Sequence, residues 1–135
     1  MAYVSKNPYT GEVLKAFSEA TDAEVAAAID NAHQAFLNWK DRPFSDRGVV
    51  LQRAADLLRE RAHDYARLLT LEMGKITAEA LGEIEICARM FEYYVKYAET
   101  LLAPEKLIVA DPTEGEAVIL HEPLGIILAI EPWNF

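Results

Sequence analysis

Cysteine is nearly absent from this 135-residue sequence: Cys87 is the one example. A lone thiol excludes an internal disulfide and any cysteine-based metal cluster. His33, His63 and His121 are also sparse, and none has a ligand partner three or four residues on, so a zinc or iron site lacks support and no bound metal is expected. Positive charge is short as well. Thirteen Lys and Arg against 22 Asp and Glu give a net charge of −9, which repels nucleic-acid phosphates and anionic membrane surfaces, and no basic patch overrides it. No apolar run approaches the ~20 residues that span a bilayer. The start, Met1-Ala2-Tyr3-Val4-Ser5-Lys6, lacks the charged-then-apolar pattern of a signal peptide. A cytoplasmic protein without nucleic-acid or membrane partners is expected. The six glycines never fall into a G-x-G-x-x-G or P-loop spacing. Lys75 follows Gly74, where an anion site is one option, but a solvated helix-end lysine is the commoner arrangement and is the reading adopted.

What remains is an ordinary globular composition, 52% hydrophobic and 26% charged, without internal repeats or low-complexity stretches. A complete domain of this length buries roughly two-thirds of its unfolded surface. Tyr3-Val4-Ser5 and Glu12 to Phe17 form a predicted hairpin around Asn7-Pro8-Tyr9-Thr10-Gly11. Thr21-Asp22-Ala23-Glu24 is a capping box, and Val25, Ala28, Ile29, Ala32, Phe36 and Trp39 then recur on one helical face until Pro43. Ser45 is placed to cap a second helix whose apolar stripe runs from Val50 to Leu69 and which Gly74 closes. Thr77 is placed to cap a third and longest helix, with Ile76 and Leu81 as a hydrophobic staple, the stripe Leu81, Ile84, Ala88, Phe91, Val95, Ala98 and Leu102, and Pro104 as its stop. Glu83, Glu85, Glu92 and Glu99 point away from that stripe. Leu107 to Ala110 and Ala117 to Leu120, joined by the turn-rich 111–116, form a second predicted hairpin.

Leu124 to Ile130 is an unbroken apolar run rich in β-branched residues, the pattern of a strand covered on both faces of a parallel sheet. Ligands bind outside the carboxyl ends of such strands, which puts Glu131-Pro132-Trp133-Asn134-Phe135 where a site is built. Asn134 draws attention within it. A carboxamide there offers two donors and no charge, which suits an oxygen that gains negative charge during a reaction. Local pattern leaves an equally simple role open, the capping of a following helix.

Pro123-Leu124-Gly125-Ile126-Ile127 followed by Pro132-Trp133-Asn134-Phe135 resembles the signature opening the cofactor-binding domain of the NAD(P)-dependent aldehyde dehydrogenase superfamily. Asn7-Pro8-Tyr9-Thr10-Gly11-Glu12, Glu72-Met73-Gly74-Lys75 and Glu79-Ala80 agree with it, so the resemblance covers essentially the whole chain. The stretch Phe91 to Ala98 is similar to the succinate-semialdehyde dehydrogenase branch. The resemblance implies an incomplete α/β fold: the N-terminal part of an aldehyde dehydrogenase-like fold, with an N-terminal hairpin, three amphipathic helices, an oligomerisation hairpin and the first strand of a Rossmann-like parallel sheet. The implied divisions are 1–105, 106–122 and 123–135. Asn134 then matches the catalytic asparagine that stabilises the alkoxide formed when a cysteine thiolate attacks an aldehyde. Ile130, Glu131, Pro132 and Trp133 match the stretch at the nicotinamide-ribose end of the NAD or NADP cleft. Phe135 matches an aromatic wall of the aldehyde tunnel, and the 106–121 hairpin matches the arm that joins subunits into a homo-oligomer, a dimer or a tetramer.

Glu131 departs from the small or neutral residue usual at its position; it is not taken as the general base, which in the family lies much later. The family's nucleophilic cysteine, its general base and its adenosine-binding segment have no counterpart in these 135 residues. Cys87, between Ile86 and Ala88 inside an acidic helix, has no adjacent base and no helix amino terminus to lower its pKa, so it reads as an inert core thiol. The expected function is the N-terminal portion of an enzyme that oxidises an aldehyde, succinate semialdehyde, to the acid through a cysteine thiohemiacetal and thioester, with the chain by itself inactive. Two alternatives are a non-catalytic acidic helical interaction module and an acylating or other semialdehyde dehydrogenase of the same fold.

Overall fold

The computed structural model describes residues 3–111, 113 and 115–131. In chain order these form β1 (Tyr3–Lys6), β2 (Val13–Phe17), α1 (Asp22–Trp39), α2 (Phe44–Glu60), α3 (Ala62–Met73), α4 (Thr77–Leu101), β3 (Glu105–Leu107) and β4 (Ala117–Ile119). Both sheets among the described residues are two-stranded and antiparallel, β1 with β2 and β3 with β4.

The first hairpin forms as predicted, with Tyr3 opposite Phe17 and a register shift between Ser5 and Lys6. Pro8 and Gly11 do not build its turn alone. The Asn7 side chain accepts from the Tyr9 amide at 2.9 Å and the Thr10 amide at 3.2 Å, and Gly11, at φ 74°, donates its amide to the Asn7 carbonyl at 2.8 Å. An Asx-type turn replaces ladder bonds where the chain reverses. The capping box also forms: the Thr21 hydroxyl accepts from the Glu24 amide at 3.2 Å, and the Thr21 amide donates to the Glu24 carboxylate at 2.8 Å. The Thr21 amide and the Thr21 hydroxyl, which also donates to the Glu24 carboxylate at 2.9 Å, hold that carboxyl below its ordinary pKa.

Helix α1 departs from expectation above its first turn. Its apolar stripe is only partly covered among the described residues: Ala32, Phe36 and Trp39 are half-buried, but no α1 residue is buried, and Val25 and Ile29 are 48% and 54% exposed. An amphipathic pattern makes a helix but does not supply the surface that covers it. A self-contained helical module would close over this face, and this one leaves it open.

The core lies where α2 and α3 pack on α4. Ala66, Leu69, Ala80 and Ile84 are buried together, with Leu58, Ala62, Tyr65 and Leu81 packed around them. Ala55 and Ala88 are buried as well, and no large side chain is fully buried among the described residues. Small residues let the helix backbones approach. At Gly48 an added Cβ would lie 3.6 Å from the Val95 side chain, ordinary contact distance.

Three expectations about helix ends need correction. The single helix predicted from Ser45 to Gly74 is two, because Arg61 leaves the helical region at φ −114°, ψ 23°. The break costs few hydrogen bonds: the Arg61 amide still reaches the Leu57 carbonyl, and its own carbonyl accepts from Asp64 and Tyr65, each at 3.1 Å. It lets both α2 and α3 lie along α4. Ser45 is not the cap, since α2 starts one residue earlier with Pro43 in the cap position and no side-chain bond there; proline brings a fixed φ and no amide to satisfy. Thr77 is not a cap either. Ile76 holds that position, and Thr77, the first residue of α4, has its hydroxyl 3.3 Å from that of Thr70 on α3. Gly74 closes α3 as expected, in the left-handed region at φ 83°.

Lys75 is not a solvated lysine. Its ammonium pairs with Glu83, and the two side chains are only 11% and 17% exposed. On the other flank of α4, Arg59 of α2 donates to both oxygens of Glu85, at 2.9 and 3.0 Å, and of Glu92, at 2.5 and 3.0 Å. The guanidinium holds both carboxyls below their ordinary pKa, and they hold Arg59 above its own. The acidic face of α4 is thus partly a clamp onto α2.

Beyond α4, the second hairpin forms with its first strand two residues earlier than predicted, pairing Glu105 with Ile119 and Leu107 with Ala117. Ile108, expected in that strand, is fully exposed. The strand predicted from Leu124 to Ile130 does not appear: the segment carries no ladder. A strand exists only through its neighbours, and among the described residues none lies beside it. Surface area records the sum of these open faces. The chain exposes 11055 Å², against roughly 7100 Å² for a folded monomer of this mass. It therefore buries roughly half of its unfolded surface, not the two-thirds of a closed domain.

Candidate functional site

The residues carrying the predicted chemistry follow β4. His121, Glu122 and Pro123 leave the hairpin beside Lys40, Phe44, Arg47 and Leu102, with which they line a cleft of about 400 Å³. The carboxyl-terminal segment thus passes the place where α1 gives way to α2. Gly125 then takes φ 107°, a conformation that strains any residue with a Cβ. Its neighbours differ in exposure, Leu124 at 94% and Ile126 at 45%. This glycine lies inside the Pro123 to Ile127 motif, and its positive φ leaves no mark in the hydropathy of the run around it.

Of the predicted site residues, Ile130 and Glu131 are described, and both are exposed. Among the described residues, neither side chain makes a hydrogen bond or an ion pair. Pro132, Trp133, Asn134 and Phe135, including the predicted oxyanion donor and the predicted tunnel wall, lie outside the described residues. Cys87 sits half-buried within α4, away from either helix end. Among the described residues no group of three or more His, Cys, Asp or Glu is placed to hold a metal ion, and no helix is long and apolar enough to cross a membrane. Among the described residues the perturbed ionisable groups serve structure: Glu24 in the capping box, Arg53, held above its ordinary pKa by Glu60, Arg59 with its two glutamates, and Asp111, whose carboxyl is held below its ordinary pKa by the hydroxyl and amide of Thr113.

Comparison with known proteins supplies what local geometry does not. The model of the aldehyde dehydrogenase family matches residues 2–135. The NADP(+) succinate-semialdehyde dehydrogenase of Deinococcus radiodurans is 43% identical over 133 residues, which are 98% of this chain and 27% of that protein. A succinate-semialdehyde dehydrogenase (NADP(+)) of Mycobacterium tuberculosis is 44% identical over 135 residues, covering 100% of this chain and 30% of that protein. The crystal structure of succinic semialdehyde dehydrogenase from Streptococcus pyogenes, in complex with NADP+, superposes with a TM-score of 0.90 at 36% identity, over 99% of this chain and 29% of that one. This chain thus spans less than a third of the length of the relatives it matches, in their amino-terminal part. With the family model matching residues 2–135, the chain belongs to the aldehyde dehydrogenase family.

Proposed function

We propose that these 135 residues are the amino-terminal portion of an enzyme that oxidises succinate semialdehyde to the acid with NADP+ or NAD+. The observation carrying this reading is the identity of 43% and 44% to two NADP(+) succinate-semialdehyde dehydrogenases across essentially the whole chain. In this reading Asn134 is the oxyanion donor: its side-chain amide meets the oxygen of the aldehyde as a cysteine thiolate adds to the carbonyl carbon. The cofactor, when bound, accepts the hydride that leaves that carbon. Ile130 and Glu131 are exposed, which leaves their backbone groups open to the nicotinamide-ribose end. A carboxylate repels a cofactor bearing phosphates, so Glu131 contributes backbone and keeps its side chain turned away. Pro132 and Trp133 continue that lining, and Phe135 forms part of the aldehyde wall.

The nucleophile and the general base belong to the remainder of such an enzyme. Cys87, inside α4 and without a base beside it, supplies neither. The 135 residues by themselves do not turn over. The divisions at 105–106 and 122–123 follow from the same reading, with the 106–121 hairpin as the arm that pairs subunits. The exposure of Ile108, Val118, Ile119 and Leu120 supports that role, since an isolated hairpin with open apolar residues is marginal in water.

A chimera tests the proposal: these residues replace the matched part of the Deinococcus radiodurans relative, and NADPH formation is followed with succinate semialdehyde. Turnover is expected in the chimera and not in the 135-residue chain. A folded chimera without turnover, or turnover by the 135 residues alone, overturns the reading.

A further inference from the structure

We draw no further inference here: the strongest candidate, the exposed apolar stripe of Ile86, Met90, Tyr93, Tyr97 and Leu101 on the outer face of α4, carries nothing because nothing in the structure shows what covers it.

Discussion

The α2–α4 unit and the segment from Leu124 to Glu131 are both rich in apolar residues, yet one buries them and the other presents them to solvent. In α2–α4 the backbone bonds are made locally, within each helix or at its caps, so the sequence needs only small side chains at the crossings to bring the helices together. In the segment, backbone bonds must come from neighbouring strands, and among the described residues there are none. Helical regions complete themselves locally, whereas a parallel-sheet strand is a request for partners. In the proposed enzyme this separates stability, held by the helices, from chemistry, held by the segment.

Substitutions can test that separation. The largest expected effect is on chemistry: Asn134→Ala in the chimera lowers kcat by about 10²–10³, or about 3–4 kcal/mol of barrier, with an unchanged denaturation midpoint. A shifted midpoint would place Asn134 among the structural residues. Next comes Leu69→Ala, which opens a cavity at a residue only 4% exposed and removes about 2–3 kcal/mol of stability. Urea unfolding measures that loss, and kcat per folded chimera stays as it was. Gly74→Ala is expected to cost about 1–2 kcal/mol, because φ 83° disfavours a Cβ and that Cβ would stand 3.2 Å from the Pro8 ring. Thr21→Ala removes the cap of α1 for about 1 kcal/mol. Leu128→Ala, at a residue 85% exposed, shifts the 135-residue chain by less than about 0.5 kcal/mol; a larger loss would show that the segment is covered after all.

Acid probes the same contrast without mutation. Glu24, Glu85 and Glu92 have carboxyl pKa values lowered on folding, so their contribution is present above the ordinary carboxylate value near 4.5 and is lost as pH falls through the lower, folded value. The thermal midpoint is expected to hold from pH 7 to about pH 5 and to fall below that. Arg59→Ala flattens the acid limb, because Glu85 and Glu92 lose the partner that lowers them. An equal acid limb in wild type and variant would mean the clamp does not hold in solution.

Much of the helical region was legible in residue pattern. The Thr21-x-x-Glu24 box, the stop at Gly74 and the part of the α4 stripe from Leu81 to Phe91 each have a local cause and each lies where expected, whereas Val95 and Leu102 of that stripe are exposed. The break at Arg61 was not legible, since no glycine or proline marks it and its cause is the shared packing of α2 and α3 on α4. The Lys75–Glu83 pair was missed for a related reason: a spacing of eight residues across a helix start gives no periodic signal. The Leu124–Ile130 run reads as a covered strand from its unbroken apolar pattern, but coverage depends on a surface outside the segment, as it does for the apolar face of α1. For the candidate site, the motif was legible and led to the family, while the predicted donor Asn134 lies outside the described residues.

The excess of open surface has a calorimetric consequence. Heat capacity of unfolding and the denaturant m-value both scale with the area newly exposed. A chain that already shows 11055 Å² when folded has roughly a quarter less area to gain than a closed monomer of its mass. Its unfolding transition should be broad and its stability curve flat, the melting behaviour of a smaller protein. Joined to the remainder of a relative, the same residues would melt with the sharpness their number predicts.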